Sequence, residues 1–323
     1  MSEYHMGTLD KSALNKLSCG DSTEAEFGGG DQEKRPDFLQ PWAWRKALMT
    51  AKKSISPDSK VFTFRLEHPN QALGLPVGQH LMVRMWDTAV RKHFRRSYTP
   101  LTIGPDARGS LELLIKIYSD EPERPGGKMT LALDSLRPGD AVDFQGPFGN
   151  FRYLGHGLCA IGMRQRRVRR FVMICGGSGI TPILQVLRAV AQEVKEGENN
   201  MMDPGAKDNQ QTTCLVLDGN RNEEDILYRS ELDALAQDHS DFFRVEYCLS
   251  QPPVNWKGHS GHIDAAFLRK HVGSPLQCKS IDTANEDEGR DTLVIISGPK
   301  VMEESVQRVF TELNWRKEDL YFF

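Results

Sequence analysis

Near Arg170 the hydrophobic texture of this chain changes, and the change calls for two kinds of sheet in one molecule. Upstream, between Trp42 and Tyr153, the pattern has period two: Phe62, Phe64 and Leu66 alternate with Thr63, Arg65 and Glu67. Leu113, Ile115 and Ile117 alternate less cleanly with Glu112, Leu114 and Lys116. Successive side chains on a strand point to opposite faces, so this is the mark of half-buried strands. Turn residues at Pro76-Val77-Gly78, Gly104-Pro105-Asp106, Pro138-Gly139-Asp140 and Gly146-Pro147 cut the stretch into short pieces, which predicts an antiparallel barrel or sandwich. Downstream, short apolar runs at 171–175, 214–217 and 293–296 are followed by helical periodicity. Ile183, Val186, Leu187 and Val190 fall at i, i+3, i+4 and i+7, with Pro182 suited to the first turn. Runs apolar on both faces belong to a parallel sheet covered by helices on both sides. The predicted architecture is an antiparallel β-barrel followed by an α/β domain built on a parallel sheet.

At 323 residues the chain is long enough for two such domains, each with its own core. Its 41 Lys and Arg against 44 Asp and Glu give a net charge of -3, too small a field to attract nucleic acid or an anionic membrane. No apolar run approaches the roughly 20 residues that span a bilayer, and the first residues lack the apolar centre of a secretory signal. The expected location is the cytosol. Cys19, Cys159, Cys175, Cys214, Cys248 and Cys278 are scattered, with no CxxC pair and no cluster that histidine completes, so they read as reduced thiols and no metal is expected. Residues 21–36 are polar and acidic, contain Gly28-Gly29-Gly30 and bury too little apolar surface to fold, as befits a hinge. The stretches 197–213 and 277–291 read as polar, mobile surface loops.

Four short motifs carry chemistry. Cys175-Gly176-Gly177-Ser178-Gly179-Ile180-Thr181-Pro182 is a glycine-rich turn between a buried strand and an amphipathic helix. Such a turn brings backbone N–H groups and the helix dipole up to a pyrophosphate; without a ligand it is a tight structural turn. Pro182 stands at the third glycine position of the common GxGxxG pattern, and no acidic residue ends a strand about 20 residues later, which disfavours a plain Rossmann dehydrogenase. In Arg95-Arg96-Ser97-Tyr98-Thr99-Pro100, Arg96 can fork onto a phosphate, Tyr98 can lie on an aromatic ring and Thr99 can bond its edge. The same string also suits an ordinary surface strand. Gly126-Gly127-Lys128-Met129-Thr130 is a second glycine turn at a helix start. Ser297-Gly298-Pro299-Lys300-Val301-Met302 follows a buried strand, at the carboxyl edge where ligands of open α/β sheets lie. Each is weak alone; their order across the change of texture is specific.

With these motifs the chain resembles the ferredoxin–NADP⁺ reductase superfamily, in its cytochrome b5 reductase branch, and there the flavin module of eukaryotic, fungal-type nitrate reductases. The resemblance extends from Phe38 to Phe323, including Leu73-Gly74-Leu75-Pro76-Val77-Gly78-Gln79-His80-Leu81-Met82 and Gly219-Asn220-Arg221-Asn222-Glu223-Glu224-Asp225-Ile226-Leu227. It implies an FAD-binding β-barrel over 38–160 and an NAD(P)H-binding, Rossmann-like α/β domain over 161–323. It implies that Arg96, Ser97, Tyr98 and Thr99 bind FAD, that Ile115, Lys116, Ile117 and Tyr118 line the flavin, and that Lys128, Met129 and Thr130 hold its pyrophosphate. Gly176, Gly177, Gly179 and Pro182 would receive NADPH or NADH, with Thr181 near the flavin, and Asp225, Gly298, Pro299 and Met302 complete the cofactor-binding set. Residues 1–37 would be the end of a cytochrome b5 domain and a hinge, since Tyr4-His5-Met6-Gly7-Thr8-Leu9 is similar to that domain's last residues. The haem ligands and the molybdenum domain would lie upstream.

The mechanism so implied is hydride transfer from nicotinamide to flavin, then single electrons to a haem domain or cytochrome b5-type partner, with no side-chain acid or base required. Lys116 either adjusts the electrostatics of that transfer or is a solvent-facing strand lysine. Ser297 departs from the cysteine usual in the family; Ser297→Cys is expected to speed hydride transfer, as read by stopped-flow flavin reduction, because reacting atoms tolerate little misplacement. A free-standing cytochrome b5 reductase and a non-catalytic nucleotide-binding remnant are the alternatives. For the nucleotide, Asp218 at a strand end favours NADH by accepting from the ribose hydroxyl, while Arg221 favours NADPH by pairing with the 2′-phosphate. The resemblance leans towards NADPH or both. His259 and His262 read as structural, and Arg164, Arg166, Arg167, Arg169 and Arg170 read as a solvated connection or a patch that steers an acidic partner.

Overall fold

In the computed structural model, which describes residues 36–323 apart from 103, 105, 106, 124, 201–211 and 274–290, the period-two stretch forms six antiparallel strands. They are β1 (Arg45–Ser54), β2 (Ser59–Arg65), β3 (His80–Asp87), β4 (Lys92–Tyr98), β5 (Ser110–Lys116) and β6 (Ala141–Phe148), hydrogen-bonded in the order β4-β3-β6-β1-β2-β5. Phe62, Phe64 and Leu66 are buried in one core with Leu81, Val83, Leu113, Ile115 and Phe144, as the alternation requires. A short helix, α1 (Lys128–Asp134), adds Met129 and Leu133 to it. The sheet is open between β4 and β5, and both of those edge strands carry predicted site residues.

A three-stranded antiparallel sheet, β7 (Phe151–Gly155), β8 (Leu158–Ile161) and β9 (Arg164–Arg167), leads into the second half. There, β10 (Arg170–Gly176), β11 (Thr213–Asn220), β12 (Phe243–Leu249), β13 (His259–Ser260), β14 (Thr292–Ser297) and β15 (Leu320–Phe322) form a wholly parallel sheet in the order β13-β12-β11-β10-β14-β15. Among the described residues, the helices α2 (Ile180–Asn200), α3 (Arg229–Asp238), α4 (Ala265–His271) and α5 (Lys300–Glu312) lie in the connections. Strand side chains sort strictly by parity. Phe171, Met173 and Cys175 enter the core under α2 and α3, while Val172 and Ile174 enter the core under α4 and α5. This is why the strands read as continuous apolar runs.

The two halves do not keep separate cores. Leu101, Leu114, Phe151 and Tyr153 belong to the same buried cluster as Phe171, Ile180, Ile183 and Leu187. This explains the blurred alternation of β5: Leu113 and Ile115 face the antiparallel core, and Leu114, which should meet water, is covered by the second half. The helix α2 continues through Asn200, so the predicted loop from 197 begins as helix. The arginine run is a largely exposed connection that is also tied down: Arg164, Arg167 and Arg169 are exposed, while Arg166 donates to the carbonyls of Glu318 and Thr292 at 3.0 Å, Arg167 to that of His156 at 2.9 Å, and Arg169 pairs with Asp291 at 3.5 Å. The expectations for residues 1–35, Cys19, Cys278 and most of the two polar stretches lie outside the described residues.

Candidate functional site

The glycine turn is shaped by close approach. Gly177 has φ +54, in the left-handed region where a side chain is strained, and a Cβ on Gly179 would lie 2.2 Å from the Ser297 carbonyl oxygen. The turn therefore nests against the end of β14, in register with it through the Cys175–Ser297 pair. Beyond Gly179 the chain enters α2, whose first turn leaves N–H groups outside the helical ladder. Thr181 is buried, and its hydroxyl donates to the Ser178 carbonyl at 3.2 Å, fixing the turn to the helix.

Facing this turn across a cleft of about 1600 Å³ are the open edges of the antiparallel sheet. That volume exceeds the roughly 300–1,000 Å³ of an ordinary small-molecule pocket. From β4 and the residues after it come Arg96, Ser97, Tyr98 and Thr99; from β5 and its extension come Ile115, Lys116, Ile117 and Tyr118; from α1 come Lys128, Met129 and Thr130. The opposite wall holds Gly176, Gly177, Gly179, Thr181, Pro182, Asp225, Ser297, Gly298, Pro299 and Met302. The residues named for FAD, for the nucleotide turn and for catalysis thus line one cleft, and among the nucleotide candidates Asp218 does not.

Their surroundings differ from one another. Burial pushes the Tyr98 phenol above its ordinary value, so the ring offers a neutral face and a donor. Arg96 is exposed and lines the cleft, its guanidinium bonded among the described residues to the neighbouring Arg95 carbonyl at 2.9 Å. Lys128 pairs with the Asp87 carboxylate and stands 4.9 Å from the Phe94 ring centroid. Lys116 is no solvent-facing strand lysine: its ammonium lies 2.7 Å from Asp58 and 3.8 Å from Asp225, tying β5 to the second half. At α1 the N–H groups of Gly126 and Gly127 are taken by Asp120 and by the Tyr118 carbonyl, both at 2.8 Å, which orders the turn that presents the helix.

Asp218 needs correction. It is 1% exposed, does not line the cleft, and accepts from Asn220 at 2.8 Å and from the Cys175 thiol at 3.4 Å. Burial raises its carboxyl to about 6, with those two donors opposing the rise. It is therefore withdrawn from any ribose, whereas Arg221 is exposed on the cleft wall, held by Gln251 at 3.2 Å. Asp58, His80 and Ser250, which sequence reasoning did not single out for the site, also line the cleft, as does His262, which it read as structural. The position of His262, past the short β13 at the carboxyl edge of a parallel sheet, was the signal that could have found it. Among the described residues no three His, Cys, Asp or Glu side chains gather as a metal site, and no helix is long and apolar enough to cross a membrane.

Comparison with known proteins gives the two halves their descriptions. Residues 46–153 match the family described as "Oxidoreductase FAD-binding domain", and residues 173–308 match "Oxidoreductase NAD-binding domain". A nitrate reductase [NADPH] of Beauveria bassiana is 44% identical over 323 residues, covering 100% of this chain and 33% of the relative. One from Emericella nidulans is 42% identical, with 100% and 34% covered. The chain thus spans about a third of the length of these curated relatives. The crystal structure of the cytochrome b5 reductase domain of Ulva prolifera nitrate reductase aligns with a TM-score of 0.73 at 32% identity, over 89% of this chain and 100% of that one.

Proposed function

The chain belongs to the oxidoreductases that join an FAD-binding to an NAD-binding domain, in the cytochrome b5 reductase type found in nitrate reductases, and from that membership we propose that it carries electrons from NADPH through FAD to a haem partner. The observation that carries the reading is the single cleft shared by β4, β5 and α1 on one wall and the glycine turn and β14 on the other. FAD, when bound, would accept one hydride, which brings two electrons, and would release those electrons singly. The residues present fit it: Tyr98 offers a half-buried ring, Arg96 an exposed guanidinium, and α1 a helix start presented by an ordered glycine turn.

On the opposite wall, the turn at Gly176–Gly179 is shaped to take a pyrophosphate, and the buried Thr181 and Ser297 bracket the place where the nicotinamide would meet the flavin. Catalysis here is alignment and exclusion of water; the side chains named bind and orient, and none needs to move a proton. For the nucleotide, the inward turn of Asp218 removes the group that would reject a 2′-phosphate, and Arg221 on the cleft wall supplies one that attracts it. The relatives named for NADPH support the same choice. We assign haem and the molybdenum cofactor to the part of the relatives outside the matched third, nitrate reduction to that whole assembly, and the cytosol as its place.

The test is an absorption spectrum of the purified protein followed by anaerobic stopped-flow mixing with NADPH and with NADH. A yellow protein whose flavin bleaches faster with NADPH, and which then reduces ferricyanide, is the expected result. A colourless protein that takes up no FAD ends the proposal.

A further inference from the structure

Gln185 is a polar side chain withdrawn from solvent, with 1% of its surface exposed. Burying a carboxamide is tolerated when both of its ends are hydrogen-bonded. Both are here, and both partners belong to the antiparallel half. The Gly78 N–H donates to Oε1 at 2.9 Å, and Nε2 donates to the Pro100 carbonyl at 2.8 Å. Gly78 precedes β3 and Pro100 follows β4, at the open end of that ribbon, where Leu81 pairs with Tyr98. One carboxamide therefore clamps the end of the ribbon that carries Arg96, Tyr98 and Thr99. On its own side, Gln185 stands four residues after Thr181, on the same face of α2. It does not itself line the cleft.

We propose that Gln185 is a positioning residue that sets the spacing and tilt between the two walls of the cleft, and through them the alignment of nicotinamide on flavin. The inference rests on the oxidoreductase reading above. Gln185 acts through Thr181 at one end of the tie and through Thr99 and Pro100 at the other. Hydride transfer is sensitive to such a link, because a displacement of about 1 Å at the reacting atoms costs on the order of 100-fold in rate. Three residues further along α2, Arg188 donates to the Leu101 carbonyl at 3.0 Å and binds Glu231 at 2.7 and 2.8 Å. The helix thus stays docked when Gln185 is changed, and the alignment alone is loosened.

Gln185→Met preserves length and volume while removing both bonds. In the FAD-loaded protein, flavin reduction at saturating NADPH is expected to slow about 10- to 100-fold. FAD content and the half-saturating NADPH concentration should stay within about threefold of the parent, and a larger isotope effect should appear with deuterium at the transferred position. A reduction rate within about twofold of the parent overturns the proposal, as does a loss confined to FAD retention or NADPH affinity. The parent protein gives a second measurement that needs no variant. Hydrogen exchange at the Gly78 amide should occur only with global unfolding, and fast exchange there overturns the tie. A parent flavin that no nicotinamide nucleotide bleaches overturns the oxidoreductase reading and the positioning role together, while slow exchange at Gly78 would still identify the tie as structural.

Discussion

Asp218 and Arg221 are three residues apart, yet the protein treats them oppositely. The carboxylate turns inward to Asn220 and Cys175, and the guanidinium stays on the cleft wall. A charge-assisted bond from Arg221 to a 2′-phosphate is worth about 1.5–3 kcal/mol, or roughly 10- to 100-fold in affinity. Arg221→Ala is accordingly predicted to raise the half-saturating NADPH concentration by that factor and to leave NADH within about threefold, measured by steady-state ferricyanide reduction. The buried carboxyl of Asp218 has a pH signature of its own. Its folded value, raised by burial to about 6, lies above the ordinary 3.8, so the native state binds more protons than the unfolded chain between those values. Stability therefore falls as pH rises through that window and stays lower above it, by on the order of 3 kcal/mol. Asp218→Asn should melt higher than the parent at neutral pH and lose that advantage below about pH 4, in thermal melts taken across the range.

At the scale of elements, the turn between β10 and α2 is built by what it lacks. Gly179 lets its backbone pass the Ser297 carbonyl at a distance that a methyl group would close to 2.2 Å. Gly179→Ala must push the turn away from β14, at a cost of about 1–3 kcal/mol in strain. The expected result is retained FAD with an NADPH requirement raised about tenfold or more, because the N–H groups of the turn would no longer point where the pyrophosphate is proposed to bind. Equilibrium titration of the oxidised flavoprotein with NADP⁺ checks this without turnover. The strand β5 carries a different lesson. Its apolar run at Leu113, Leu114 and Ile115 breaks a period of two because both faces are covered, one by the antiparallel core and one by the second half.

For the whole molecule, the seam between the described halves is itself a buried core. Leu101, Leu114, Phe151 and Tyr153 share a core with α2, and Lys116, Gln185 and Arg188 cross the seam with polar bonds. Residues Pro36–Phe323 form one compact unit. One cooperative thermal transition is predicted, with flavin release and loss of helical signal coinciding; two well-separated transitions would contradict it.

Much of this was written locally. The period of apolar residues distinguishes a half-open antiparallel sheet from a doubly covered parallel one, because side-chain direction follows backbone repeat. Glycine and proline mark the turns at Gly176–Pro182 and Gly126–Thr130 because only certain residues adopt those backbones. Hence both sheets and the glycine turns of the cleft were legible in the amino-acid order, whereas cleft residues such as Ile117, Tyr118 and Asp225 were reached only through the family resemblance. What the order could not express is which distant groups meet. Asp58, Lys116 and Asp225 form one charged tie, Gly78 bonds a carboxamide 107 residues away, and Asp218 turns from the cleft to a thiol on the neighbouring strand. These outcomes belong to tertiary structure, since the free energy of a buried polar group depends on the partner it finds, and that partner is chosen by packing and not by sequence neighbours.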